Sequence, residues 1–95
     1  MVKLTFEFDK AEIAKAGLTE DELLAEVREY AEKNKISETS HGVFEKDGED
    51  ALCQIMMIAH TILFDRPHYL DCLESLNMDD DGEIEDCLKI AKELL

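Results

Sequence analysis

Carboxylates are the residues with the clearest chemical potential in this chain. Eight of them, and no lysine or arginine, lie between positions 71 and 86: Asp71, Glu74, Asp79, Asp80, Asp81, Glu83, Glu85 and Asp86. Uncompensated carboxylates attract basic surfaces and can imitate the phosphates of a nucleic acid. We therefore predict that these residues form an acidic face that binds a partner protein with a basic surface. The alternative is a solvated face whose acids favour the N-termini of helices.

The rest of the chain shares this acidity. It has 24 Asp and Glu residues against 10 Lys and Arg residues, which gives a net charge of −14. A further acidic set lies at positions 20–32. Such a surface repels phosphates and anionic lipid head groups, because both are bound through Lys and Arg. We therefore predict neither direct nucleic acid binding nor membrane binding.

Residues 77–85 also carry oxygen ligands at regular spacing. The side-chain oxygens, the turn glycine and the apolar position are Asn77, Asp79, Asp81, Gly82 and Ile84. The pattern resembles the first nine positions of an EF-hand calcium loop, which implies a helix on each side. The twelfth position, a bidentate glutamate in that family, is Leu88 here, and we expect Leu88 in the core. The resemblance implies a weak calcium site at 77–88 at most, and the alternative is an acidic turn that caps the last helix.

Other nucleophiles and metal ligands are few. Cys53, Cys72 and Cys87 fall on or beside apolar helical stripes, where cysteine usually packs as a small hydrophobic residue. A zinc cluster of two cysteines and two histidines between neighbouring helices is the alternative for Cys53 and Cys72. The sequence has no glycine-rich phosphate loop and no His-Glu zinc helix. We predict no catalytic residues and a protein that is not an enzyme.

Length and composition predict one folded α+β domain over residues 1–95. Hydrophobic residues make up 45% of the chain, which is too much for a disordered polypeptide. The longest apolar stretch, residues 51–64, is too short to span a bilayer. No signal-peptide pattern is present at the N-terminus, so we expect a cytoplasmic protein with free thiols.

The first half of the chain has strong local signals. Apolar residues alternate from Val2 to Phe8 and predict a half-buried strand. Asp9 predicts the start of a short helix, and Gly17 predicts its end. Thr19 and Glu22 form a capping box for a helix that we expect to reach about residue 34.

The second half is predicted mainly from apolar stripes. We expect a strand at Val43 and Phe44, with a further strand at 36–39 as an option. The helix at about 51–64, which we expect Asp47 to cap, is apolar nearly all round and is predicted to be the buried central element. Pro67 can open a helix that continues to about residue 76. Residues 77–82 are then an acidic turn, or 75–79 a brief strand, before a last helix from about residue 83.

Together these elements predict a helix-rich α+β fold in which a two- or three-stranded sheet packs against three to four helices. An incompletely covered helix face would allow a homodimer. Residues 42–53 and 81–87 are similar to small uncharacterised proteins encoded on bacterial mobile elements, a likeness that brings no known activity. In size and charge the chain also resembles anti-restriction and anti-CRISPR inhibitors, which implies a regulatory or inhibitory role.

Overall fold

The computed structural model describes residues 1–66 and 68–94. Its strands are β1 (Val2–Phe8), β2 (Ser37–Ser40), β3 (Val43–Lys46), β4 (Leu73–Asp80) and β5 (Glu83–Asp86). They form one antiparallel sheet in the order β2-β3-β1-β4-β5. The first strand of the chain is therefore the central one, with one hairpin on each side of it.

The described helices are α1 (Lys10–Ala16), α2 (Glu20–Lys33), α3 (Ala51–His60), α4 (His68–Cys72) and α5 (Cys87–Leu94), and a π-helical segment (Thr61–Asp65) continues α3. The predicted local signals at α1 and α2 are confirmed. The Asp9 carboxylate accepts hydrogen bonds from two backbone N–H groups at the start of α1, and Gly17 ends α1 with a φ of 71°. The Thr19 hydroxyl accepts a hydrogen bond from the Glu22 N–H.

The core lies on one face of the sheet. Val2, Leu4, Phe6 and Phe8 of β1 are buried, and the residues between them lie on the opposite face. On the core side α3 contacts β1 and α5 contacts β4. Burial of one such side chain stabilises the fold by roughly 1.5–3 kcal/mol. The helices therefore pack over the buried residues of β1.

The β2–β3 hairpin is joined to β1 through Gly42. The Phe6 N–H donates a hydrogen bond of 2.8 Å to the Gly42 carbonyl. Gly42 has a φ of 74°, and a Cβ atom there would lie 3.1 Å from the Phe6 carbonyl oxygen. A side chain at this position would meet both backbone strain and a steric clash.

The α+β class is confirmed, but the predicted sheet of two or three strands and the predicted three to four helices are wrong, because the described residues form five strands and five α-helices. The predicted helix to about residue 76 is also wrong, since α4 ends at Cys72 and β4 begins at Leu73. The pairing of β4 with β1 shifts register between Glu7 and Phe8. This bulge lets Leu73 and Leu76 both face the core although they are three positions apart, a spacing that also suits a helix.

Two predicted helix starts need correction. The last helix begins at Cys87 instead of about residue 83, because residues 83–86 pair with β4 as an edge strand. Asp86 then caps α5, since its carboxylate accepts a hydrogen bond from the Lys89 N–H. Asp50, not Asp47, precedes α3, and it makes no side-chain capping bond. The prediction that Pro67 opens a helix falls outside the described residues.

Tyr69 provides a buried polar link between α4 and α2. Its hydroxyl donates a hydrogen bond to the Leu23 carbonyl, and its side chain is 1% exposed. Burial, followed by the charge of Glu26, raises the pKa of Tyr69 from 10.0 to about 12. The neutral phenol is therefore favoured in the folded protein, and its contribution to stability is complete below pH 10 and is lost as the pH rises through about 12.

We expect Tyr69→Phe to lower the free energy of unfolding at neutral pH by about 1 kcal/mol, because the Leu23 carbonyl loses a donor. Urea denaturation measures this loss. A pH titration followed by tyrosinate absorbance compares the two proteins. The step that is present in the unmodified protein and absent from the variant should have its midpoint at about pH 12. A removed step centred at the ordinary tyrosine pKa, or an unchanged stability, would contradict the buried hydrogen bond.

Candidate functional site

The acidic segment of the sequence forms a β-hairpin at one edge of the sheet. β4 and β5 are joined by Asp81 and Gly82, whose φ angles are 50° and 98°. Two consecutive positive φ angles are typical of a two-residue type I′ hairpin turn, and Asp-Gly is a favoured sequence for it. The Asp79 carboxylate accepts a hydrogen bond of 2.7 Å from the Gly82 N–H and holds the turn closed. The sequence signal for this hairpin is therefore the Asp-Gly pair.

The hairpin changes the interpretation of the EF-hand resemblance. The helices implied on both sides are strands here, with Asn77 opposite Asp86 and Asp79 opposite Ile84. One Asp81 oxygen lies 2.7 Å from the N-terminal nitrogen of Met1, so this candidate ligand already has a cation. Leu88 is buried, as predicted. Within residues 1–66 and 68–94 no group of three or more His, Cys, Asp or Glu side chains has the arrangement of a metal site. Calcium binding at 77–88 stays a prediction.

Strand geometry divides the predicted acidic face. Successive side chains of a strand point to opposite faces, and directly paired residues share a face. Asp79 and Asp86 therefore lie on the open face of the sheet, whereas Asp80, Glu83 and Glu85 lie on the helix side. Asp71 is on α4, and Glu74 is the extra residue of the β4 bulge. Six of the eight carboxylates thus lie in β5, its turn and the facing part of β4, divided between the two faces of the sheet, and Asp71 and Glu74 lie outside this group.

One end of the sheet concentrates negative charge. Asp81 in the β4–β5 turn and Asp47 after β3 both contact the N-terminal nitrogen of Met1, at 2.7 and 3.3 Å. These hydrogen bonds, to Asp81 first and then to Asp47, raise the pKa of the N-terminal ammonium group. Asp80 lies opposite Val2 and also opposite Glu83, so both adjoin the same end. We call Asp47, Asp80, Asp81 and Glu83 the acidic end.

Few of the eight carboxylates have a cationic partner. Among the described residues Asp81 alone of this set lies within 4 Å of a positively charged group. Asp79 and Asp86 have local roles in the turn and at the start of α5. Asp80, Glu83 and Glu85 have neither an ion pair nor a side-chain hydrogen bond in the part of the chain that the structure describes. Asp71 and Glu74 also have no such partner there, so local structure leaves five of the eight carboxylates unexplained, and Asp80, Glu83 and Glu85 are the three close to the β4–β5 turn.

An apolar surface that the sequence analysis missed lies beside this edge. The helix at 51–64 was predicted to be buried nearly all round, but only one side of α3 faces the core. Leu52, Met56 and Met57 are 37%, 48% and 63% exposed. Across a depression from them, Ile90 and Leu94 of α5 are 45% and 70% exposed. The signal in the sequence is the absence of any charged residue from 51 to 64, which is as consistent with an uncovered surface as with a core.

Two of the three thiols, those of Cys72 and Cys87, are poorly suited to nucleophilic chemistry. Cys72 is buried, and this burial raises the pKa of its thiol. The nearby charge of Asp71 raises it further. Burial also raises the pKa of Cys87, with further contributions from Glu85 and Asp86. A thiol with a raised pKa is protonated at neutral pH, and the reactive species is the thiolate. Cys53 is exposed, contrary to the prediction that it packs in the core.

Comparison with protein-family models, with curated proteins and with solved structures finds no match to this chain. In the region that the structure describes, no helix combines the length and apolar character needed to cross a membrane. The candidate functional regions of this chain are therefore three parts of its surface: the acidic hairpin edge, the acidic end and the apolar depression between α3 and α5.

The Asp80–Glu83 pair provides a stability test of the hairpin. Like charges directly opposite on paired strands are destabilising. We expect Glu83→Lys to raise the free energy of unfolding by about 0.5–1 kcal/mol at low ionic strength, because it creates an opposite-charge pair. The gain should shrink as salt screens it. Glu7→Lys at an exposed position of β1, opposite the neutral Ser75, makes the same change in net charge. An equal gain in both variants would show a general charge effect and would contradict the hairpin pairing.

The calcium prediction is tested by comparing two divalent ions. Because the hairpin has strands where an EF-hand has helices, we expect Ca²⁺ and Mg²⁺ to raise the melting temperature by similar amounts, through screening of the net charge of −14. Differential scanning fluorimetry at equal ion concentrations measures this. A gain with Ca²⁺ alone that Asp79→Asn removes would contradict our expectation and support the EF-hand interpretation.

Proposed function

We propose that this protein is a non-enzymatic binding module that regulates or inhibits a partner by contacting its basic surface. The contact is made by the carboxylates of the hairpin edge and the acidic end. The observation that carries the proposal is the set Asp80, Glu83 and Glu85, which has no described cation or hydrogen-bonding partner. Exposed charges without local partners stay hydrated until a second molecule arrives. They can therefore attract that molecule from a distance, and the desolvation cost arises only at contact.

The position of these groups favours recognition of a partner. Every residue of β5 is exposed, and β5 is the edge strand of the sheet. The described cations near this edge are fewer than its carboxylates. The N-terminal ammonium group contacts Asp47 and Asp81, Lys3 lies opposite Asp79, and Lys89 and Lys92 of α5 line a depression with Glu74 and Asp86. The field of the edge is therefore negative over about a Debye length, ~8–10 Å at physiological salt. Such a field accelerates encounter with a basic partner and opposes acidic ones.

The proposal includes a location and an exclusion. We place the protein in the cytoplasm, and the free cysteines Cys53, Cys72 and Cys87 are in keeping with a reducing compartment. We also propose that it does not bind nucleic acid directly, because its net charge of −14 repels phosphate. It competes instead for the basic surface with which a partner holds nucleic acid, a role in keeping with the resemblance to inhibitors encoded on mobile elements.

A charge-matched pair of variants tests the proposal. The edge variant Asp80→Asn/Glu83→Gln/Glu85→Gln and the helix variant Glu22→Gln/Glu29→Gln/Glu32→Gln each remove three carboxylates, all of them exposed except Asp80, which is half-buried. We expect the edge variant to bind a labelled Arg- and Lys-rich peptide about tenfold more weakly than the unmodified protein, at roughly 0.2–1 kcal/mol per exposed charge. Fluorescence anisotropy at low ionic strength measures the dissociation constants.

The helix variant should bind the same peptide with nearly unchanged affinity. Equal weakening by both variants would mean that net charge alone governs binding, which would overturn the proposed site. With the protein as bait in an extract of its source cell, a captured partner should elute as salt is raised and be displaced by duplex DNA. A partner held through high salt and unaffected by DNA would contradict a basic contact surface.

A further inference from the structure

The exposed side of α3 carries no Asp, Glu, Lys or Arg, and it consists of Leu52, Cys53, Met56, Met57 and His60. From residue 51 to residue 64 the chain has no Asp, Glu, Lys or Arg, although 36% of all residues are charged. Ile55 and Ile58 turn inward and are buried, whereas Met56 and Met57 are exposed. The core therefore accounts for only one side of this apolar segment, and the other side is an uncovered helix surface.

This surface forms one wall of a groove. The groove is lined by the buried residues Ala59, Leu63, Met78 and Ala91 and by the exposed Met56 of α3 and Ile90 of α5. It has a volume of about 170 Å³, and an adjoining open depression of about 430 Å³ along α3 includes Met57. At 1.5 Å per residue the segment from Leu52 to Phe64 is ~18 Å long, which matches about three turns of a helix laid alongside it.

Apart from His60, which lines the groove and the adjoining depression, the charged side chains at the groove and at the ends of its α3 wall are carboxylates. Glu85 of β5 lines the groove. Glu49 and Asp50 directly precede α3, and Asp65 ends the π-helical segment that continues α3. The cations of α5 lie on the opposite side of that helix, where Lys89 and Lys92 line a separate depression. An apolar ligand that carries positive charge on its flanks is complementary to this arrangement.

We propose that the groove between α3 and α5 binds an amphipathic, basic helix of a partner protein. The apolar stripe of that helix, at positions i, i+3 or i+4 and i+7, packs between Met56 and Ile90, and its flanking Lys and Arg side chains meet the acidic rim. Methionine suits this role because its flexible side chain adapts to irregular apolar shapes. The inference rests on the proposed function for the charge of the partner and adds the groove as the site of its apolar contact.

The charge argument favours this ligand over a second copy of the chain. Two copies joined through the groove would bring together acidic rims from molecules that each carry −14, and like charges in an interface oppose association. The homodimer that an uncovered helix face suggests is therefore an outcome of the test and not the proposal.

Three labelled synthetic peptides of about 15 residues test the groove. The first is a Leu/Lys/Ala helix with one apolar stripe, the second a scrambled sequence of the same composition without a stripe, and the third the first peptide with Gln in place of Lys. Fluorescence anisotropy with the full chain gives each dissociation constant at low and high salt. We expect the first peptide to bind at least about tenfold more tightly than the second.

A pair of variants locates the binding. Met56→Gln/Ile90→Gln changes two exposed groove residues and keeps the charge, and we expect it to weaken binding of the first peptide at least about tenfold. Ile84→Gln is the matched control, because Ile84 is 67% exposed but shares a face with Asp79 on the open side of the sheet. It should leave the affinity unchanged. Equal affinities for the groove variant and the unmodified protein would overturn the groove.

The outcomes separate the groove from the proposed function. One outcome is that the first two peptides bind equally, that salt weakens both, and that Met56→Gln/Ile90→Gln has no effect. This outcome would contradict binding in the groove but would remain consistent with a basic partner. Another outcome is that the third peptide binds as tightly as the first and without salt dependence. This outcome would contradict the proposed basic partner but would remain consistent with apolar binding in the groove. Sedimentation equilibrium should show a monomer, and a dimer that the groove variant abolishes would overturn the partner helix in favour of a second copy.

Discussion

The pairing of β1 on both of its edges is the constraint on which the rest of the structure depends. β3 and β4 are hydrogen-bonded to the two sides of β1, so one strand sets the register of both hairpins. Its buried residues, Leu4 and Phe6 at the centre, also form the surface on which the helices pack. Because Val2 lies opposite both Lys46 and Asp80, the ends of the two hairpins meet beside the N-terminus. The acidic end is a direct result of this pairing.

The alternation of side chains along the strands decides what the acidic segment can present. Carboxylates at successive positions cannot share a face in a strand, whereas in a helix or loop they can lie together. Asp80 and Glu85 are therefore directed to the helix side, and Asp79 and Asp86 to the open side. Only β5, at the sheet edge, displays all of its side chains to solvent. The shape of the acidic surface is thus an edge, which suits insertion into a concave basic surface better than contact with a flat one.

Signals contained within a few residues could be predicted from the sequence, and signals that depend on distant pairing could not. Asp9, Gly17 and Thr19 act on backbone groups two to four positions away, and the structure confirms all three. Leu73 and Leu76 have helical spacing, but pairing with β1 and a bulge place both in a strand. Residues 77–85 carry ligand-type spacing that also satisfies a hairpin, and only the partner strand distinguishes the two. Residues 51–64 are apolar on all sides, so composition alone does not show which side of α3 is covered.

The exposed apolar groove and the net charge of −14 have opposite effects on self-association. A helix surface with exposed Leu52, Met56 and Met57 would promote self-association in a neutral protein. Here the acids around it, Glu85 and Asp50 among them, oppose the approach of a second identical groove. The same acids favour a ligand that brings apolar side chains and positive charge together. In the complex that we propose, charge is thus the selectivity element, because it disfavours the chain's own copies and acidic proteins, while the groove supplies the contact area that carboxylates alone do not provide.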